Sequence, residues 1–148
     1  MFETLFMSKN QKLVKVWKDE HKVIAELAGK ILESYENNDI KGTKKYLNAL
    51  EHVTVGHLMT EDVAFYDLLK HPEDLNNRTI DNIKDFRNTF QGTKSALMKF
   101  IAKHAAPQTV LDDEFAEAFK GLVGVVVDRI NYEEKNLYHV LAESQLRA

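Results

Sequence analysis

Apolar residues recur every three or four positions along four stretches of the chain, roughly 10–36, 41–70, 78–104 and 112–145, which predicts four long helices. Breaker clusters separate them: Asn37-Asn38-Asp39, then His71-Pro72 with Asn76-Asn77, then Ala106-Pro107. Asp112 or Asp113 can cap the last helix. Long helices joined by short connections pack as antiparallel neighbours. The expected fold is therefore all-α, an up-down-up-down antiparallel four-helix bundle. Residues 1–9 are expected as an N-terminal tail and residues 10–148 as a single domain.

The inward stripes hold polar residues that a core should not contain. The first reads Leu13, Trp17, His21, Ile24, Ala28, Ile31, Tyr35, and the second Leu47, Leu50, Thr54, His57, Glu61, Ala64, Leu68. The fourth reads Phe115, Phe119, Leu122, Val126, Arg129, Glu133, Leu137, Val140. An unpaired buried charge costs several kcal/mol. These groups must therefore satisfy one another, hold a metal or line a wet cavity.

Their heights agree. At about 1.5 Å per residue, His21, His57, Glu61, Arg129 and Glu133 all fall roughly 15–25 Å below one rim of the bundle. One polar layer across the core is the expectation. Helix three could contribute Asp85, Arg87, Asn88 or Gln91, a choice that its rotation decides.

Composition narrows the function classes. Hydrophobic residues make up 44% of the 148, enough for a core, and 2 Pro and 6 Gly suit long helices. A net charge of −3 gives no pull toward nucleic acid or anionic membrane. The chain has no cysteine, which excludes disulfides and thiolate sites and points to a reducing cytoplasm. The opening MFETLFMSKN has no basic region before a long apolar stretch, so no secretory signal is expected, and no apolar run is long enough to span a bilayer.

Three segments together resemble hemerythrin-like, HHE cation-binding domains, over about residues 10–145. Trp-Lys-Asp-Glu-His21 resembles the opening helix, and His57-Leu-Met-Thr-Glu61-Asp-Val-Ala-Phe-Tyr the second-helix signature. Arg129-Ile-Asn-Tyr-Glu133-Glu-Lys-Asn-Leu-Tyr138 resembles the fourth, with Arg129 where the family has histidine. The family holds two irons between its helices with five histidines and two bridging carboxylates. By that resemblance His21 and His57 match the ligands of one iron, and Glu61 and Glu133 match the bridges. The histidines of the other iron are absent. Arg129 replaces one of them, and Arg87 falls near the helix-three position. The resemblance implies a degenerate di-iron site that keeps iron, or manganese or zinc, as a single ion. It also leaves open that Arg129, with Arg87, replaces metal altogether. The implied role is sensing, metal handling or response to oxygen or nitric oxide, more in keeping with a binding protein than an enzyme.

A second resemblance implies a different class. Lys12-Leu-Val-x-x-Trp17 and Arg129-x-x-x-Glu133-Glu-x-x-Leu137 are similar to the first and last helices of Rsd/AlgQ anti-sigma regulators. That reading makes the chain a metal-free helical module whose partner is a transcription factor or signalling protein. His52, His71, His104 and His139 fall off the layer, with His71 and His104 expected in solvent and His139 near the rim. Asp62 and Glu134 are expected to point away from the layer by about 100°. Tyr66 and Tyr138 are expected as rim packing. Lys41, Lys44 and Lys45 are expected as a solvated basic patch.

Overall fold

A computed structural model describes residues 7–144, so most of the expected tail, and position 145 of the last helix, lie outside the described residues. The described chain is all helix and connection: α1 (Lys9–Glu36), α2 (Ile40–Leu69), α3 (Asn77–Phe90), α4 (Thr93–Ala105), α5 (Asp113–Asn136) and α6 (Tyr138–Glu143), with a 3₁₀ turn at Pro72–Asp74. Two of the four expected helices are each divided. The third breaks at Gln91-Gly92, where Gly92 starts α4 with no side-chain cap. The fourth breaks at Leu137, whose φ of −119° departs from helix geometry.

Local chemistry sets the ends. Ser8 and Gln11 form a reciprocal capping box on α1. Asp39, Asn76 and Asp112 accept the first free N–H groups of α2, α3 and α5. Asn38 makes the α1–α2 turn at φ 60°, a left-handed conformation that asparagine tolerates better than most residues. Lys44, expected in a solvated patch, instead spans to the loop after α4. There its Nζ donates to the carbonyls of Pro107 at 3.2 Å and Thr109 at 2.6 Å. A lysine whose stem runs along the bundle can satisfy carbonyls left free past a helix end.

Contacts between helices run in opposite chain directions. Ser34 meets Thr43 and His21 meets His57 along α1 and α2. Tyr35 meets Asp113 at one end of the bundle, and Asn10 meets Ser144 at the other. Phe100 of α4 packs on Phe119 of α5, while Tyr132 of α5 donates to the Asn82 carbonyl of α3.

Two apolar clusters form the core. One gathers Ile24, Ile31, Leu47, Leu50, Leu97, Ile101, Phe115 and Phe119. The other gathers Val14, Trp17, Phe65, Ile83, Phe86, Phe90, Leu137 and Leu141. On α1, α2 and α5 the polar residues fall between the two clusters, at one level, as the helical heights predict. No helix among the described residues is long and apolar enough to cross a membrane.

Candidate metal centre

His21 on α1 and His57 on α2 face each other, with their Nε2 atoms 3.0 Å apart. The opposite nitrogen of each ring meets a carboxylate. His21 Nδ1 lies 3.2 Å from Glu134 Oε2, and His57 Nδ1 lies 2.9 Å from Glu20 Oε1. An ionised carboxylate only accepts, so both Nδ1 atoms carry the proton and donate it. In the neutral imidazoles both Nε2 atoms are then lone pairs, while a protonated ring would donate from Nε2 to the carboxylate beside it. Two lone pairs at this separation repel unless a cation or a proton lies between them.

Carboxylates close the same space. Glu61 Oε1 is 3.1 Å from His57 Nε2, and Glu133 Oε1 is 3.3 Å from His21 Nε2. The ligating atoms of His21, His57, Glu61 and Glu133 all lie within 4.8 Å of one another, and all four residues are buried. Glu61 Oε1 has no hydrogen-bond donor although it is fully buried. A buried acceptor without a donor costs about 1–3 kcal/mol. This donor set, two imidazole lone pairs and two carboxylates with an orphaned oxygen, fits a transition-metal ion.

Arg129 and Tyr138 complete the layer. Arg129 Nε donates to Glu133 Oε2 at 3.0 Å, and its terminal nitrogen lies 3.3 Å from Asp62 Oδ1 and 3.7 Å from Glu61 Oε1. Its guanidinium rests 4.7 Å from the centre of the Phe86 ring. The Tyr138 hydroxyl lies 2.5 Å from Glu61 Oε2, 3.0 Å from His21 Nε2 and 3.2 Å from Glu133 Oε1.

The electrostatics follow from this crowding. Burial, together with Glu133 alongside, pushes the Glu61 carboxyl up to about 10. Burial also opposes charge on Glu133. Hydrogen bonds with His21 and Glu61 and the Arg129 cation outweigh it and hold that carboxyl below its usual value. Burial, then the two carboxylates, push the Tyr138 phenol up. Without metal, Glu61 is the protonated member of the pair and Glu133 the charged one.

The structure thus brings His21, His57, Glu61, Glu133 and Arg129 together, and leaves Arg87 out. Arg87 is exposed, with its guanidinium 6.0 Å from the Tyr66 ring, on the outer cleft between α2 and α3 that Arg129 reaches from inside. Asp85, Asn88 and Gln91 are exposed as well. The inner face of α3 is Ile83, Phe86 and Phe90. Phe86 takes the inward direction that its neighbour Arg87 therefore cannot, since adjacent helical residues diverge by about 100°.

Four participants escape a stripe reading. Glu20, Asp62 and Glu134 do sit beside the stripe and are partly exposed, yet each reaches back to an inner group. Adjacency to a proposed ligand is the signal that could have found them. Tyr138 is not rim packing: it is 1% exposed and central, because the break at Leu137 shifts the helical phase. Of the remaining histidines, His52, His71 and His139 are exposed. His104 is not solvated but half-buried against Phe100 and Phe115, where burial and the Lys103 charge lower its pKa.

The family model for the hemerythrin HHE cation-binding domain matches residues 12–141. No curated protein and no solved structure matches the chain.

Proposed function

The chain belongs to the hemerythrin HHE cation-binding family, and on that premise we propose that it holds a single iron ion on His21, His57, Glu61 and Glu133. Its role is sensing, metal handling or response to oxygen or nitric oxide. Bound iron would supply a one-electron centre in a dry core. The observation that carries the reading is the pair of Nε2 atoms 3.0 Å apart, with the Nδ1 of each ring backed by a carboxylate, Glu134 or Glu20. Carboxylate-backed histidines of this kind are the usual outer support of a metal ligand.

One ion rather than two is supported from both sides of the carboxylates. Arg129 already supplies positive charge where Glu133 and Glu61 would face a second ion. The α3 face nearest it is apolar and offers no ligand. Reversible oxygen carriage across two irons is not part of this reading.

The test is elemental analysis of protein purified from iron-supplemented cells and again after anaerobic loading. About one equivalent of iron, lost in His57→Ala, is expected, because structural metal sites need their full ligand set. Manganese or zinc in its place would change the metal and keep the site. Two equivalents would remove Arg129 from its proposed role. No retained metal would leave the layer as a buried ion network and favour the metal-free binding module, whose partner a pull-down would then identify.

A further inference from the structure

We propose that Tyr138 is a fifth ligand, binding as phenolate, and that the site is therefore built for ferric iron. This rests on the single-ion reading above.

A buried tyrosine needs one hydrogen-bond partner. The Tyr138 hydroxyl has three, at 2.5, 3.0 and 3.2 Å, and they are Glu61, His21 and Glu133, all proposed ligands. Its single proton can serve one of them. The oxygen thus lies among the ligating atoms rather than outside them. The separations carry the same message. Metal–ligand bonds of about 2.1 Å at right angles place neighbouring donors about 3.0 Å apart. The Nε2–Nε2 distance is 3.0 Å, His57–Glu61 3.1 Å, His21–Glu133 3.3 Å, Tyr138–His21 3.0 Å and Tyr138–Glu133 3.2 Å. The phenol oxygen shares the spacing of the other donors toward His21 and Glu133, and lies closer to Glu61, at 2.5 Å.

Its position is also held. The ring stacks on His21 at 16° and packs against Trp17 with centroids 5.4 Å apart. The backbone is bent to deliver it: α5 stops at Asn136, and the turn at Leu137 buries Leu137 and Tyr138 in succession. An unbroken helix would instead have continued the stripe to Val140.

Donor chemistry identifies the ion. Two carboxylates and a phenolate present three negative oxygens, and Arg129 offsets one of them through Glu133. Anionic oxygen donors favour the harder ion. On loading, the iron–oxygen bond forms as the phenolic O–H bond breaks, and that proton and the one held by Glu61 leave to solvent. No electron is transferred.

The experiment is to load the full chain with ferric iron, measure iron by elemental analysis, and record visible absorption and resonance Raman spectra. The expected result is about one equivalent of iron with a phenolate-to-iron charge-transfer band and enhanced phenolate vibrations. Both are lost in Tyr138→Phe and kept in Tyr132→Phe. Ferric affinity in Tyr138→Phe should fall by more than about 100-fold, beyond the loss expected for an outer hydrogen bond. Iron bound without a phenolate signature overturns the ligand assignment and leaves the single-ion reading standing. A band that survives Tyr138→Phe and vanishes in Tyr132→Phe also overturns it. No retained iron removes both. The wild-type Raman spectrum tests phenolate ligation even if Tyr138→Phe does not fold.

Discussion

Replacing Arg129 with methionine tests whether its charge is what the metal-free layer depends on. Arg129 is 4% exposed, and the Glu61 and Glu133 carboxyls beside it are fully buried. Asp62, with a side chain 52% exposed, can rehydrate when its partner is removed, so it adds little to the cost. Glu133 cannot, because its Oε2 is then left without the donor at 3.0 Å. Breaking a buried pair by removing one partner costs about 3–5 kcal/mol. The guanidinium over Phe86 adds roughly 0.5–2 kcal/mol, of which methionine recovers a part by packing. The metal-stripped variant should therefore unfold about 3–5 kcal/mol more easily than the parent. For a domain of this size that is a Tm lower by roughly 6–20 °C. Metal alters the outcome, since an ion on Glu61 and Glu133 supplies the positive charge that Arg129 no longer does. Urea unfolding followed by circular dichroism, with chelator and with iron, measures both costs. The penalty should shrink on loading, where the carboxylates are paired by the ion. A stripped variant within about 1 kcal/mol of the parent would refute the reasoning, because an exposed or rim ion pair costs no more than that.

Other outcomes follow from the same geometry. In metal-stripped protein Glu61 titrates at about 10 when folded and near 4.5 when unfolded, so its contribution to stability is full below pH 4.5 and is lost as pH rises toward 10. Urea midpoints should fall across that window with a slope approaching about 1.4 kcal/mol per pH unit, and Glu61→Gln should flatten it. Thr54 is 1% exposed and its hydroxyl has no partner, so Thr54→Val should raise stability by about 1 kcal/mol in thermal unfolding, and a loss of that size would show an unseen partner. Glu20→Leu and Glu134→Leu free the imidazole tautomers and should each weaken metal binding about 10- to 100-fold in chelator competition, with little change in the far-ultraviolet spectrum.

Much of this molecule is legible along the chain. Apolar stripes and breaker clusters predict the helices and their turns, and the level shared by His21, His57, Glu61, Arg129 and Glu133 follows from counting 1.5 Å steps from the ends. That works because a helix repeats its own geometry, so spacing alone states which side chains share a face and a height. What spacing cannot state is how far each helix is rotated against its neighbours. Arg87 and Phe86 are adjacent in sequence, and only packing decided that Phe86 faces Arg129 while Arg87 meets solvent. Partly exposed Glu20, Asp62 and Glu134 became partners of the layer because their side chains bend across the gap between helices, a reach that periodicity treats as outward. Tyr138 entered the centre through a break in regular geometry at Leu137, and beyond such a break the phase read from the preceding helix no longer applies.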